Sequence, residues 1–345
     1  MGFISYICSI MKILRILAVA SAMLTPSLFF GATEREVTVN NTEAGITLAG
    51  TLTEPAGKAR AALVLATGSG SQNRDEEILG HKPFKRIADY LGERGYAVLR
   101  LDDRGVGGSS GDPAKTTVRD YAGDLACAAA FLDSCLNVPV GALGHSEGGS
   151  AVVILAGKSP LCRFIVTMGA PAWRGDSIIM SQARAMALAA GGQWEGEQMQ
   201  RRYLDMVLSD MPDMFLRTAL YTAVAADLGD AAKMAEVQKQ IRAQTDVMST
   251  PAYRNLVKYD PADDIKAVAV PWLVLNGDRD MQVLPENLAA IGRLNPKADL
   301  RLMKGHNHLM QRCTTGLVQE YAGIPEDISE ETLSVIADWL DSIEF

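Results

Sequence analysis

Apolar and polar positions follow two different rhythms along this chain. Glu36–Asn40 and Gly45–Thr53 alternate, which predicts two strands with one exposed face. Asn40-Asn41 and Glu43-Ala44-Gly45 supply the turn between them. The later runs do not alternate. Ala61–Ala66, Ala97–Leu101, Val138–Leu143, Phe164–Met168 and Trp272–Leu275 are short and continuously apolar, as expected of strands buried on both faces of a parallel sheet. Segments of helical spacing separate them: Phe84–Glu93, closed by Gly95, the Ala-rich Val118–Leu136, then Glu147–Gly157 and Pro285–Leu294. This alternation predicts an α/β fold with a doubly wound, mostly parallel sheet. Ligands of such sheets sit beyond the carboxyl ends of the strands, so catalytic groups are expected in the loops that follow the apolar runs.

Two stretches depart from the alternation. Residues 174–259 carry no buried-strand signal but are helix-like, with Ala, Gln and eight of the fifteen Met residues. They predict a helical cap inserted over the carboxyl edge of the sheet, whose Met side chains could adapt to varied apolar ligands or simply fill the space between helices. Residues 1–32 begin with a basic Met11-Lys12-Ile13-Leu14-Arg15, continue as an apolar run to Phe30 and end before the polar Thr33-Glu34-Arg35-Glu36. That is the pattern of a secretory leader, with Ala20-Ser21-Ala22 as a cleavage site, and predicts an exported, periplasmic or secreted protein. If uncleaved it would be a membrane anchor, but Arg15, Ser21, Thr25 and Pro26 interrupt the run and speak against a spanning helix. Residues 33–345 are then expected to form one α/β domain that carries the helical insertion.

Composition narrows the function. A chain of 345 residues that is 48% hydrophobic can bury a large core. The net charge of −8 and the lack of a Lys/Arg cluster argue against a nucleic-acid partner. No Cys-x-x-Cys or similar spacing suggests zinc, so neither a metal nor a cofactor is expected. In an oxidising compartment Cys127, Cys135, Cys162 and Cys313 become candidates for pairing. Cys127 and Cys135 are eight residues apart on one predicted helix, roughly 12 Å along its axis, too far for a bridge. Cys135 and Cys162 each precede a predicted strand, and a bridge between them is one expectation; four free thiols is the other.

The candidate chemistry is a serine nucleophile. Gly-x-Ser-x-Gly allows a sharp strand-to-helix turn that exposes the hydroxyl, and the chain contains it twice. Gly107–Gly111 is flanked by Asp102-Asp103-Arg104 and Asp112-Pro113, a loop at both ends. Gly144-His145-Ser146-Glu147-Gly148 follows an apolar strand and opens a helix, which selects Ser146. A general base should be a histidine downstream of both nucleophile and acid. His81 precedes the elbow and His145 adjoins the nucleophile but points away from it, leaving His306 and His308. The orienting carboxylate should follow Trp272–Leu275, where Asp278 and Asp280 compete. Oxyanion donors are expected from the backbone N–H of Glu147 and from the Gly68-Ser69-Gly70-Ser71 loop after Ala61–Ala66. That glycine-rich loop lacks the ending of a phosphate loop and completes no dinucleotide fingerprint.

Taken together, Thr67-Gly68-Ser69-Gly70, Asn73-Arg74-Asp75-Glu76, Leu101-Asp102-Asp103-Arg104-Gly105, the Ser146 elbow, Gly277-Asp278-Arg279-Asp280-Met281-Gln282-Val283 and Asn307-His308-Leu309-Met310-Gln311 resemble secreted or periplasmic bacterial α/β-hydrolases of the carboxylesterase kind. They are also similar to the catalytic domain of prolyl-oligopeptidase-like peptidases. The resemblance spans Leu63 to Leu340 apart from the insertion. It implies an α/β-hydrolase fold, Asp280 as the acid, His308 as the base and Ser69 as the second oxyanion donor. Thr67 stands where a histidine is more usual, and Asp102 and Arg104 are expected only to brace loops. The implied activity is hydrolysis of small-molecule esters with small or medium acyl groups. A peptidase or amidase with the same triad is the alternative, and a non-catalytic binding scaffold would be expected to lack triad residues, all of which are present.

Overall fold

A computed structural model describes residues 31–189, 191, 194 and 196–344. The leader reading therefore lies, but for Gly31 and Ala32, outside the described residues, as does Cys8. β1 (Thr33–Asn41) and β2 (Ile46–Glu54) pair antiparallel, and β2 runs antiparallel to β4 (Tyr96–Leu101). Parallel pairing joins β4 to β3 (Ala61–Ala66) and continues through β5 (Val140–His145), β6 (Cys162–Met168), β7 (Trp272–Gly277) and β8 (Asp299–Met303). The sheet order is β1-β2-β4-β3-β5-β6-β7-β8. β3, β4, β5 and β7 are buried at every position, which is why their sequences are continuously apolar, whereas β1 alternates.

Helices cover both faces. α2 (Val118–Leu136), α3 (Glu147–Lys158), α9 (Ala262–Ala267) and α10 (Glu286–Leu294) share one apolar layer with Val64, Leu99, Ile165 and Val274. On the other face α1 (Pro83–Gly92) and α12 (Glu330–Ser342) pack Phe84, Ile87, Ile336 and Leu340 against Leu63, Val98 and Val166. A short α11 (Val318–Tyr321) precedes α12. Thr117 and Asp120 close a reciprocal capping box at the start of α2, which fixes the point where the chain leaves the loop after β4. β5 begins two residues later than the apolar run suggested: Pro139 has no N–H to give a ladder and contributes only its carbonyl, to Ala62 N.

Between β6 and β7 lie α4 (Gly175–Ala189), α5 (Glu197–Leu208), α6 (Asp213–Leu228), α7 (Ala235–Met248) and α8 (Pro251–Lys258). They build a core of their own from Met180, Tyr203, Leu204, Leu216, Leu220 and Val257. Their methionines fill that core or reach the surface. Met180 and Met248 pack inside this core, while Met199, Met214 and Met234 are exposed. The four described cysteines are free thiols, so the Cys135–Cys162 bridge does not form. Cys135 is exposed near the end of α2, while the Cys162 thiol is buried under β6, 3.6 Å from the Phe164 carbonyl.

Candidate active site

Ser146 occupies the turn between β5 and α3 with φ 54° and ψ −120°, a conformation that L-residues rarely adopt. Two close approaches hold it there. A Cβ on Gly144 would stand 2.3 Å from the Gly148 carbonyl oxygen, and one on Gly148 would stand 2.2 Å from that of Ala66. Only glycine permits either contact. The Ser146 N–H donates to the Met168 carbonyl at 2.9 Å, which ties the turn to the end of β6. The other Gly-x-Ser-x-Gly match is different: the Ser109 hydroxyl accepts from Ala49 N at 2.9 Å and donates to the Asp102 carbonyl at 2.8 Å, so it pins a loop to β2.

Of the two candidate pairs downstream, the structure brings together Asp280 and His308. His308 Nδ1 lies 2.7 Å from Asp280 Oδ2, and both residues are buried. The other carboxylate oxygen, Oδ1, accepts the N–H groups of Gln282 and Val283 at 2.8 and 2.9 Å, which fixes the carboxylate's orientation. Asp278 instead accepts from Gly305 N at 2.6 Å and braces the turn before His306. His306 is fully buried between the Lys304 carbonyl and the Ser329 hydroxyl. Gly169, with φ 57°, makes room for the pair: a Cβ there would meet His308 Cε1 and Nδ1 at 3.0 Å. Gly169→Ala should displace the imidazole by a few tenths of an ångström and lower kcat by up to about 10²-fold while the protein still folds. Steady-state kinetics beside a thermal melt would check this.

The loop after β3 comes close to the elbow, where a Cβ on Gly68 would stand 3.3 Å from Ser146 Cβ. Two carboxylates hold this loop. Glu76 Oε1 accepts from Gly68 N at 2.6 Å and faces His145 Nδ1 at 2.8 Å. Asp103 accepts from the Thr67 hydroxyl at 2.7 Å and from Gln72 N at 2.9 Å. Burial pushes Asp103 up to about 7, against the pull of those two hydrogen bonds. Asp102 clamps Arg74 through both carboxylate oxygens, and Arg104 pairs with Asp124 of α2, so both brace loops as expected. Glu76 and Asp103 were not singled out by the sequence, because nothing in one chain distinguishes a buried carboxylate from a surface one until its partners are known. The N–H groups of Ser69 and Glu147 make no hydrogen bond among the described residues. Glu147 is the first residue of α3, where no intrahelical acceptor exists and the helix dipole favours negative charge.

His145 does point away from the nucleophile, and its surroundings fix its charge. Nδ1 faces a carboxylate and Nε2 faces the His308 carbonyl at 3.0 Å, so both nitrogens face acceptors and both carry a proton. Burial opposes that charge, but Glu76 outweighs it and the pKa is raised above the usual histidine value. A histidine raised in this way contributes stability that is complete below its unfolded pKa of about 6.5 and is lost as pH climbs through the higher folded value. Melting temperature should therefore decline on the alkaline side of about 6.5, and Glu76→Gln should flatten that decline. A decline of the same slope in both proteins would contradict the assignment.

Ser146, Ser69 and Glu147 line one cavity of about 120 Å³ with Ser150. Its apolar walls are Trp173, Ile178, Ile179, Leu256 and Val283. The cap thus contributes through α4 and α8, and no methionine lines it. Among the described residues no cluster of three His, Cys, Asp or Glu side chains could hold a metal ion.

The sheet order, the strand-to-helix elbow and the buried carboxylate–histidine pair define a recognised class. The sequence signature of the alpha/beta hydrolase family matches residues 63–319, and the chain belongs to that family. It is 27% identical over 285 residues to esterase EstD of Thermotoga maritima, across 80% of this chain and 60% of that one. The chain thus spans about 60% of the length of this curated relative. Among solved structures, an esterase of Pyrococcus furiosus superposes with a TM-score of 0.55 at 15% identity, covering 90% of this chain and 92% of that one. A thermophilic esterase of Thermogutta terrifontis gives 0.51 at 19%, covering 90% and 98%. At these identities the two structures speak for the fold alone.

Proposed function

We propose that the chain is a carboxylic ester hydrolase that works by acyl transfer through Ser146, His308 and Asp280. The observation that carries this reading is the convergence on one cavity of the Ser146 elbow and two N–H groups that make no hydrogen bond among the described residues, backed by the 2.7 Å His308–Asp280 contact. Ser146 Oγ attacks the ester carbonyl as His308 Nε2 takes its proton. Asp280 fixes the tautomer and stabilises the imidazolium. The N–H groups of Ser69 and Glu147 receive the oxyanion. The C–O bond to the alcohol then breaks, the alcohol leaves with the proton from His308, and water releases the acid by the same steps in reverse order. The name of the Thermotoga relative supports an ester substrate, and the small cavity beside Ser146 suits small or medium acyl groups.

A panel of p-nitrophenyl esters of increasing acyl length, run beside matched p-nitroanilides, tests the reading. Turnover of short esters with little anilide cleavage is expected. Preferential anilide cleavage would make the protein an amidase. Export is proposed from residues 1–32 alone, and amino-terminal sequencing of the protein recovered outside the cytoplasm tests it, with a start beyond residue 20 expected.

A further inference from the structure

A second cleft, of about 410 Å³, shares Ser69, Glu147 and Leu256 with the first. Its walls come from the loop after β3, the loop that leads into α2, and the cap. Ala252 N at the start of α8 donates to the Ala114 carbonyl at 3.0 Å, which fastens the cap to that second loop. Among the described residues the apolar cavity holds no charged side chain besides Glu147, and neither does this cleft, whose rings are Tyr121 and Tyr253.

The Glu147 side chain has no part in the mechanism above, which uses only its backbone N–H. It is partly buried, and its carboxylate makes no hydrogen bond or ion pair among the described residues. It lines the second cleft together with Tyr121 as well as the cavity beside Ser146. The cation of that neighbourhood, Arg104, is already committed to Asp124 and Asp120. Asp103 is held by Thr67 and Gln72, so its charge also remains without a cationic partner. Burial pushes Glu147 up to about 7, the signature of a carboxylate that lacks a counterion.

We infer that this cleft is a subsite for a substituted ammonium group on the substrate, with the Glu147 carboxylate as its counterion and the Tyr121 and Tyr253 rings as its aromatic walls. A cation there would satisfy the lone carboxylate, and tyrosine faces attract ammonium groups most strongly where water is excluded. Ser69, Thr116 and Thr250 add no competing positive charge to its lining. The inference rests on the ester-hydrolase reading for its place in the reaction: it names the substrate class as esters with a cationic substituent on one half and an apolar group on the other.

The test compares the butyrate ester of choline with the ester of its uncharged isostere, in which tert-butyl replaces trimethylammonium. Wild-type kcat/KM should favour the charged ester about tenfold, and Glu147→Gln should bring the ratio near one. A ratio near one in the wild type, or a preference that survives in Glu147→Gln, overturns the inference while leaving the hydrolase reading intact. If Glu147→Gln does not fold, Tyr253→Leu on the cap must lower the same ratio, and an unchanged ratio counts against the site. Hydrolysis of neither ester would instead count against the hydrolase reading. Calorimetric titration with choline and with its isosteric alcohol then decides the subsite without turnover. Binding of choline about tenfold tighter than the alcohol supports it, and equal or weaker binding overturns it.

Discussion

Ser146→Ala and His308→Ala each leave a folded protein whose kcat on a short p-nitrophenyl ester falls by on the order of 10⁶. In the proposed mechanism the two residues act as one unit: without the hydroxyl there is nothing to attack, and without the imidazole the hydroxyl keeps its proton. Their losses should therefore not add, and the double variant should be no slower than either single one. His306→Ala is the discriminating control, since His306 is the other histidine of the Gly305-His306-Asn307-His308 stretch. Its ring fills a fully buried site between Lys304 O and Ser329 Oγ, so its removal should cost about 2–4 kcal/mol of stability. Turnover per folded molecule should stay within a few-fold of wild type. Loss of turnover in His306→Ala with retention in His308→Ala would reverse the assignment.

Asp280→Asn should lower kcat by about 10⁴ with little change in folding. The variant keeps the size of the side chain and an oxygen able to accept the N–H groups of Gln282 and Val283. It replaces the acceptor facing His308 Nδ1 with an amide that can present N–H, which favours the wrong imidazole tautomer and removes the charge that stabilises the imidazolium. The effect should appear in kcat rather than in KM, because Asp280 lies behind the imidazole and does not line the cavity. Asp278→Asn, by contrast, touches only the turn at Gly305 and Lys304 and should leave kcat near wild type.

Much of this arrangement was legible in the sequence because its physical causes are local. The strands buried on both faces are continuous apolar runs, and the elbow needs glycine at 144 and 148 for close approaches that no other residue permits. What stayed open was the choice between Asp278 and Asp280 and between His306 and His308. Each pair is two residues apart in one loop, and only the path of the chain after β7 and β8 decides which member faces its partner; residue type and spacing do not encode it, and the family resemblance was needed to favour Asp280 and His308. Glu76 and Asp103 were invisible for a related reason, since their weight comes from the loop they brace and from burial. The Met-rich insertion left two readings open. Flexible apolar side chains suit a ligand pocket and an inter-helix core equally well, and here they go to the core or the surface, while Ile178, Ile179 and Leu256 line the cavity. A Cys135–Cys162 bridge was allowed by position along the chain but not by direction, because one thiol is exposed and the other is buried beneath the sheet.

On the proposed mechanism Ser146 is an activated nucleophile rather than a residue that merely caps a helix. Reaction of the folded protein with a fluorophosphonate, followed by peptide mass spectrometry, tests it most directly. A single adduct on the Ser146 peptide is expected, abolished in Ser146→Ala and slowed by orders of magnitude in His308→Ala. No adduct on the folded wild-type protein, or an adduct that persists in Ser146→Ala, would contradict it.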